Sequence, residues 1–159
     1  MSDVVDRIVA QWDAVALGVD ASPLHVVGRV QRLAALWDLA LRPPFVAAGL
    51  TAGDFDVLAV LRREGMPVSP SRLAASMLVT AGATTKRVDR LVASGLVSRG
   101  APSRDGRERL VSLTDRGREL TDGLMRAHLA NESALLSGLT DDERETLAGL
   151  LRKLSLAVT

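Results

Sequence analysis

The chain has no cysteine and no tyrosine, and only 3% of its residues are aromatic, two tryptophans and two phenylalanines. Without cysteine there can be no disulfide, no thiolate metal site and no thiol-based redox chemistry. With so few large rings, a core must be built from Leu, Val and Ala, which are volumes that suit helices. Neither sign of charge dominates, since 20 basic residues face 19 acidic ones for a net +1. No apolar run approaches the roughly 20 residues needed to span a bilayer. The N-terminal stretch carries Asp3 and Asp6 where a secretory signal places bases. A cytoplasmic protein without a membrane partner is therefore expected. Catalytic patterns are missing too. His25 and His128 are isolated, and there is no H-E-x-x-H, no G-x-S-x-G elbow and no phosphate-binding loop. The expectation is that this is no enzyme and that it holds no metal or cofactor.

What is present is concentrated. Residues 80–109 read TAGATTKRVDRLVASGLVSRGAPSRDGRER, followed by Leu110–Thr114 as LVSLT. A threonine cap opens a helix, a glycine ends it, and a short strand, a polar Arg-rich loop and a second strand follow. This is a helix followed by a hairpin wing. Lys86, Arg87, Arg90, Arg99, Arg104, Arg107 and Arg109 stand against Asp89, Asp105 and Glu108, so the stretch nets +4 while the flanks net −1 and −2. Positive charge focused on one substructure is what a phosphate backbone attracts.

The remainder reads as helices, over roughly 3–18, 23–42, 52–63, 70–76, 80–94, 115–136 and 141–157. Ser2 can cap the first, and Ser22-Pro23 opens the second. Pro43-Pro44 must end or kink that second helix, because neither proline donates a backbone hydrogen bond. Thr51 with Asp54, and Thr140 with Glu143, have capping-box spacing. Ser69-Pro70 caps the helix at 70–76. At its ends the chain carries more apolar stripe than one winged domain can cover, on 1–42 and on 115–157. Such stripes pair with a second copy by two-fold symmetry, unless a bundle within the monomer buries them.

A short helix, a tight linker and a second helix make a helix-turn-helix. At about 100° per residue, Val88, Leu91 and Val92 define the inner side of the second helix, with Ala81 and Thr84 beside them. Lys86 and Arg90 lie opposite, and Thr85 and Arg87 fall at the edges. The small Gly82 and Ala83 permit close approach to a groove floor. Candidate DNA contacts on the helix pair are Ser69, Ser71, Thr80, Gly82, Thr84, Thr85, Lys86, Arg87 and Arg90. Thr84 and Thr85 are equally suited to satisfying the first helical turn. In the loop, Arg104 and Arg107 flank an Asp-Gly turn, and an arginine at such a tip can enter a minor groove.

The runs LTAGDFDVLAVLRREG, SPSRLAASMLVTAGATTKRVDRLVASGLVSR and LVSLTDRGREL, with the D-G-R of the wing, resemble the MarR family of bacterial transcriptional regulators. The resemblance runs from about residue 24 to the C-terminus. It implies a mostly α fold with a small β-hairpin wing, in which residues 50–113 form the winged helix-turn-helix. Residues 1–49 would then serve dimerisation and the ligand pocket, and 114–159 dimerisation. It also implies a homodimer on a pseudo-palindromic operator in double-stranded DNA, typically a repressor released by a small ligand. The wing departs from the family's D-R-R at Gly106. A narrower resemblance, to the urate-responsive PecS-like subgroup, implies ligand contacts at Trp12, Asp56, Arg87 and Arg99. The effector would be a small organic anion such as urate or an aromatic acid. Asp56 and Arg87 could equally form a plain salt bridge between helices. The rival readings are a winged-helix interaction module that does not bind DNA, and an activator that needs no ligand.

Overall fold

A computed structural model describes residues 2–15, 17–77, 81–102 and 109–157. The chain divides into two compact units, residues 1–41 and 42–159.

The first unit is a pair of helices, α1 (Val4–Val15) and α2 (Leu24–Leu41). Asp3, rather than the expected Ser2, caps α1. Its carboxylate accepts from the amides of Val5 and Asp6 at 2.8 and 3.0 Å, while Asp6 reaches back to the Asp3 amide at 2.9 Å. Arg29 of α2 bonds both acids, at 2.9 Å to Asp3 and 2.6 Å to Asp6. Gly28 faces Val5, and a Cβ there would make ordinary van der Waals contact with it at 3.5 Å. Ser22 does not cap α2; its hydroxyl donates to Asp20 at 2.8 Å. Val5 and Val9 are buried, but no residue of α2 is, and Val26, Val30, Leu33 and Leu36 stay exposed. Within this unit α1 therefore leaves the apolar stripe of α2 uncovered.

The second unit holds α3 (Pro43–Ala47), α4 (Ala52–Glu64), α5 (Pro70–Met77), α6 (Ala81–Ala93), β1 (Val97–Pro102), β2 (Arg109–Leu113), α7 (Asp115–Leu135) and α8 (Asp141–Ala157). The two prolines stop α2 and supply the first turn of α3, where a missing N–H costs nothing. Thr51 and Asp54 form the capping box of α4, and Gly65, at φ 66°, ends it in the left-handed conformation. Thr140 and Glu143 do the same for α8, with Glu143 accepting from the Thr140 amide at 2.8 Å.

Strands β1 and β2 pair antiparallel with Val97 opposite Leu113 and Arg99 opposite Val111. Val68, just before α5, adds a bridge to Val111, with both backbone bonds at 2.8–2.9 Å. The core is aliphatic, as the composition demanded. Val57, Leu58, Leu73, Val88, Leu91 and Val111 are essentially inaccessible, with Phe45 and Phe55 stacked at 4.4 Å at one end. Where α7 leaves the hairpin the backbones touch closely. The Thr114 side chain accepts from the Gly117 amide and donates to the Gly95 carbonyl, and a Cβ on Gly117 would lie 1.9 Å from the Leu96 carbonyl oxygen. Only glycine fits there. Leu150, Leu151, Leu154 and Leu156 of α8 remain exposed. Among the described residues no single helix is long and apolar enough to cross a membrane.

Candidate nucleic-acid interface

The helix pair α5–α6 and the hairpin β1–β2 come from one continuous stretch of chain, the winged helix-turn-helix arrangement. Ser69 opens α5, with its hydroxyl 3.3 Å from the Arg72 amide and 3.0 Å from the Ser71 hydroxyl. On α6 the inner side is formed by Val88 and Leu91, as the periodicity predicts. Thr84 joins them at 0% exposure, so its side chain cannot touch a base, and the reading of Thr84 as a DNA contact is corrected. Gly82, Thr85 and Lys86 lie on the exposed side. Thr80, Arg104 and Arg107 lie outside the described residues.

The arginines of α6 do not simply point outward. Arg90 donates to Asp54 of α4 at 2.7 Å. Its side chain is 55% exposed, but that of Asp54 only 6%. Burial pushes the Asp54 carboxyl up. Three other contacts outweigh burial and hold it below its ordinary value: the Thr51 hydroxyl at 2.7 Å, the Thr51 amide at 3.0 Å and the Arg90 guanidinium. Arg90 keeps an exposed side chain, and its guanidinium also ties the recognition helix to the start of α4. Sequence spacing had shown Asp54 only as a cap. The signal for its second role was its position directly before the apolar run that begins at Phe55, where a carboxylate drawn into the core needs a charged partner.

Arg87, three residues earlier, turns inward at the next position along. Its guanidinium lies over Gly53 so closely that a Cβ there would be 2.4 Å from Cζ. Asp56 is on the same side of α4, yet the two form no ion pair, and the simple salt bridge considered from the sequence is absent. Asp56 is exposed, and protein packed behind its carboxyl raises its pKa against the pull of Arg87, His128 and Arg63. Its access to water limits that effect. Arg99, on β1, pairs instead with Asp89 of α6, which fastens the hairpin to the recognition helix. Trp12 is half-exposed on α1 in the first unit. Of the four ligand candidates, Asp56 and Arg87 are therefore neighbours without a bond, and Arg99 is engaged elsewhere.

A two-helix reader with a basic, half-exposed face and an adjoining hairpin defines a winged-helix DNA-binding protein. Comparison with known proteins agrees. The sequence profile of the MarR family matches residues 48–108. The chain is 35% identical over 149 residues to the HTH-type transcriptional regulator PecS of Dickeya dadantii, covering 92% of this chain and 90% of that protein. A cysteine-to-serine variant of MarR from E. coli, solved in complex with operator DNA, superposes with a TM-score of 0.71 at 28% identity, over 96% of this chain and 99% of that one. BpsR of Bordetella bronchiseptica, described with a mechanism for regulation of its DNA binding by 6-hydroxynicotinic acid, gives a TM-score of 0.72 at 26% identity over 82% of this chain and 92% of that one. The chain belongs to the MarR family. It is a DNA-binding transcriptional regulator and not an enzyme.

Proposed function

We propose that this regulator acts as a cytoplasmic homodimer on a pseudo-palindromic operator and represses until a small planar organic anion releases it. One observation carries the release. Arg87 of the recognition helix stands next to Asp56 without bonding it, so an incoming anion can take up Arg87 and shift α6 against α4. A ligand moves such an equilibrium only by its differential affinity for the two positions, and an uncommitted arginine provides that difference. Arg99 would follow α6 through Asp89. The exposed leucines of α8 and the uncovered stripe of α2 suit a dimer built by residues 1–49 and 114–159, which leaves 50–113 to the DNA. Lys86 and Thr85 are then the base- or phosphate-facing residues of the described part of α6. The response of BpsR to a hydroxylated aromatic acid fits an effector of this class.

The test is a fluorescence-anisotropy titration of the full chain with the DNA upstream of its gene. It is run at two salt concentrations, with and without urate and 6-hydroxynicotinate. Tight binding that weakens steeply with salt and is reversed by a probe is the expected outcome. Tight binding that no probe reverses removes the ligand from the proposal. No binding at either salt favours a winged-helix interaction module instead.

A further inference from the structure

Among the described residues, two buried side-chain polar atoms lack a hydrogen-bond partner, Arg87 Nη1 and His128 Nδ1. Buried polar atoms are nearly always satisfied, so each such exception asks for an explanation. These two belong to different helices, α6 and α7, yet they flank one acid. At about 100° per residue, Gly53 lies about 60° to one side of Asp56 around α4, and Phe55 about 100° to the other. Arg87 covers Gly53. The His128 ring lies against Phe55 and Phe45, with both centroids at 5.5 Å. Asp56 therefore faces outward between the two unsatisfied groups.

We propose that Arg87 Nη1 and His128 Nδ1 grip one small planar ligand above Asp56, and that His128 demands a hydrogen-bond donor on that ligand beside its acceptor. This rests on the ligand-released reading above. The chemistry follows from what each group can do. Arg87 only donates, so it takes a carbonyl or carboxylate oxygen. His128 Nε2 stands 3.1 Å from the Glu132 carboxylate. In the neutral ring the proton therefore resides on Nε2, and Nδ1 is left as an acceptor. Asp56 is a second acceptor beside it. A plain carboxylate offers acceptors alone and leaves His128 and Asp56 unanswered. A cyclic amide or imide edge, with C=O next to ring N–H, answers Arg87 and His128 from adjacent atoms. The stacked Phe45 and Phe55 hold the imidazole in place, so the requirement is built into the site before a ligand arrives.

Four probes test this on the full-length protein: urate, 6-hydroxynicotinate, its N-methylated form and nicotinate. The sequence has two histidines, and His25→Gln assigns the side-chain nitrogen resonances of ¹⁵N-labelled protein. The two probes with a ring N–H should bind, release DNA and move the His128 Nδ1 resonance. Blocking or lacking the N–H should weaken binding roughly tenfold, the loss expected when a buried acceptor goes unmet. His128→Asn, whose amide reaches the Nδ1 position, should keep the preference for a ring N–H. His128→Gln, which reaches the Nε2 position, should lose it. A probe that releases DNA while the Nδ1 resonance stays put overturns the inference and leaves the proposed function standing. Equal binding of 6-hydroxynicotinate, its N-methyl form and nicotinate does the same. If none of the probes binds, the inference and the ligand-released reading both fall.

Discussion

The same two helices, α4 and α6, meet through two acid–arginine neighbourhoods that behave in opposite ways. At Asp54 and Arg90 the acid is buried, accepts two hydrogen bonds from Thr51 and is closed by the guanidinium at 2.7 Å. At Asp56 and Arg87 the acid is exposed, no ion pair forms, and an arginine nitrogen is buried without a partner. The positions differ by two residues on one helix and three on the other. Two residues along a helix turn a side chain by about 200°, so one acid faces the core and the other faces away. The lesson is that one interface can hold a fixed joint and a movable one. Asp54 and Arg90 join the recognition helix to α4, while under the proposed release mechanism Arg87 beside Asp56 is the contact a ligand would pull on.

This contrast can be broken experimentally. The largest effect is expected at the closed joint. Asp54→Ala removes a helix cap and the acceptor of a charged bond, and should destabilise the fold by about 2–3 kcal/mol in denaturant titrations, whereas Asp56→Ala should change stability by less than about 0.5 kcal/mol. Equal effects would erase the distinction. The sign with pH is also set. Asp54 has a folded pKa below its ordinary 3.8. Its contribution is present above that value and is lost as the pH falls through the lower folded one. Asp54→Asn should flatten this acid limb of the stability curve.

Next in size is Arg90→Ala, which should cost about 1–2 kcal/mol of stability and weaken operator binding. If Arg90 positions the helix, the dependence of log affinity on log salt keeps its slope. A phosphate contact would instead lower that slope by about 0.9. Thermal melts paired with salt titrations separate the two.

A small effect of opposite sign is expected for Gly53→Ala at the open site. The new Cβ would collide only with the far end of the Arg87 side chain, which can swing away. Stability should hold or rise by about 0.5–1 kcal/mol, since alanine favours a helix over glycine. Release of DNA by a ligand should nevertheless weaken. A variant that is both more stable and fully responsive would show that the placement of Arg87 does not matter.

Much of this was legible beforehand because it is local. Thr51 and Thr140 announce helix starts through acids only three positions away. The hairpin follows from two short strands around a turn-rich loop, and Val88 and Leu91 declare the inner face of α6 by spacing alone. Other features depend on contacts across many residues, and no periodicity encodes those. Asp54 looked like a cap because its partner Arg90 lies 36 positions on. The inner edge that helical spacing gave Thr84 agrees with its burial, yet a threonine near a helix start suits DNA as well as a core. His128 looked isolated because Phe45, Phe55 and Asp56 reach it only once α7 has packed on α4. Gly53 read as an ordinary helix residue until Arg87 was found lying across it.

The Thr51–Asp54 cap has a consequence for local unfolding. The carboxylate that holds Arg90 is the one that closes the first turn of α4, so fraying of that turn and release of the recognition helix are one event. The Asp54 amide, bonded to the Thr51 hydroxyl at 3.1 Å, is its natural reporter. Its exchange with solvent measures how often the reader comes loose from its mount.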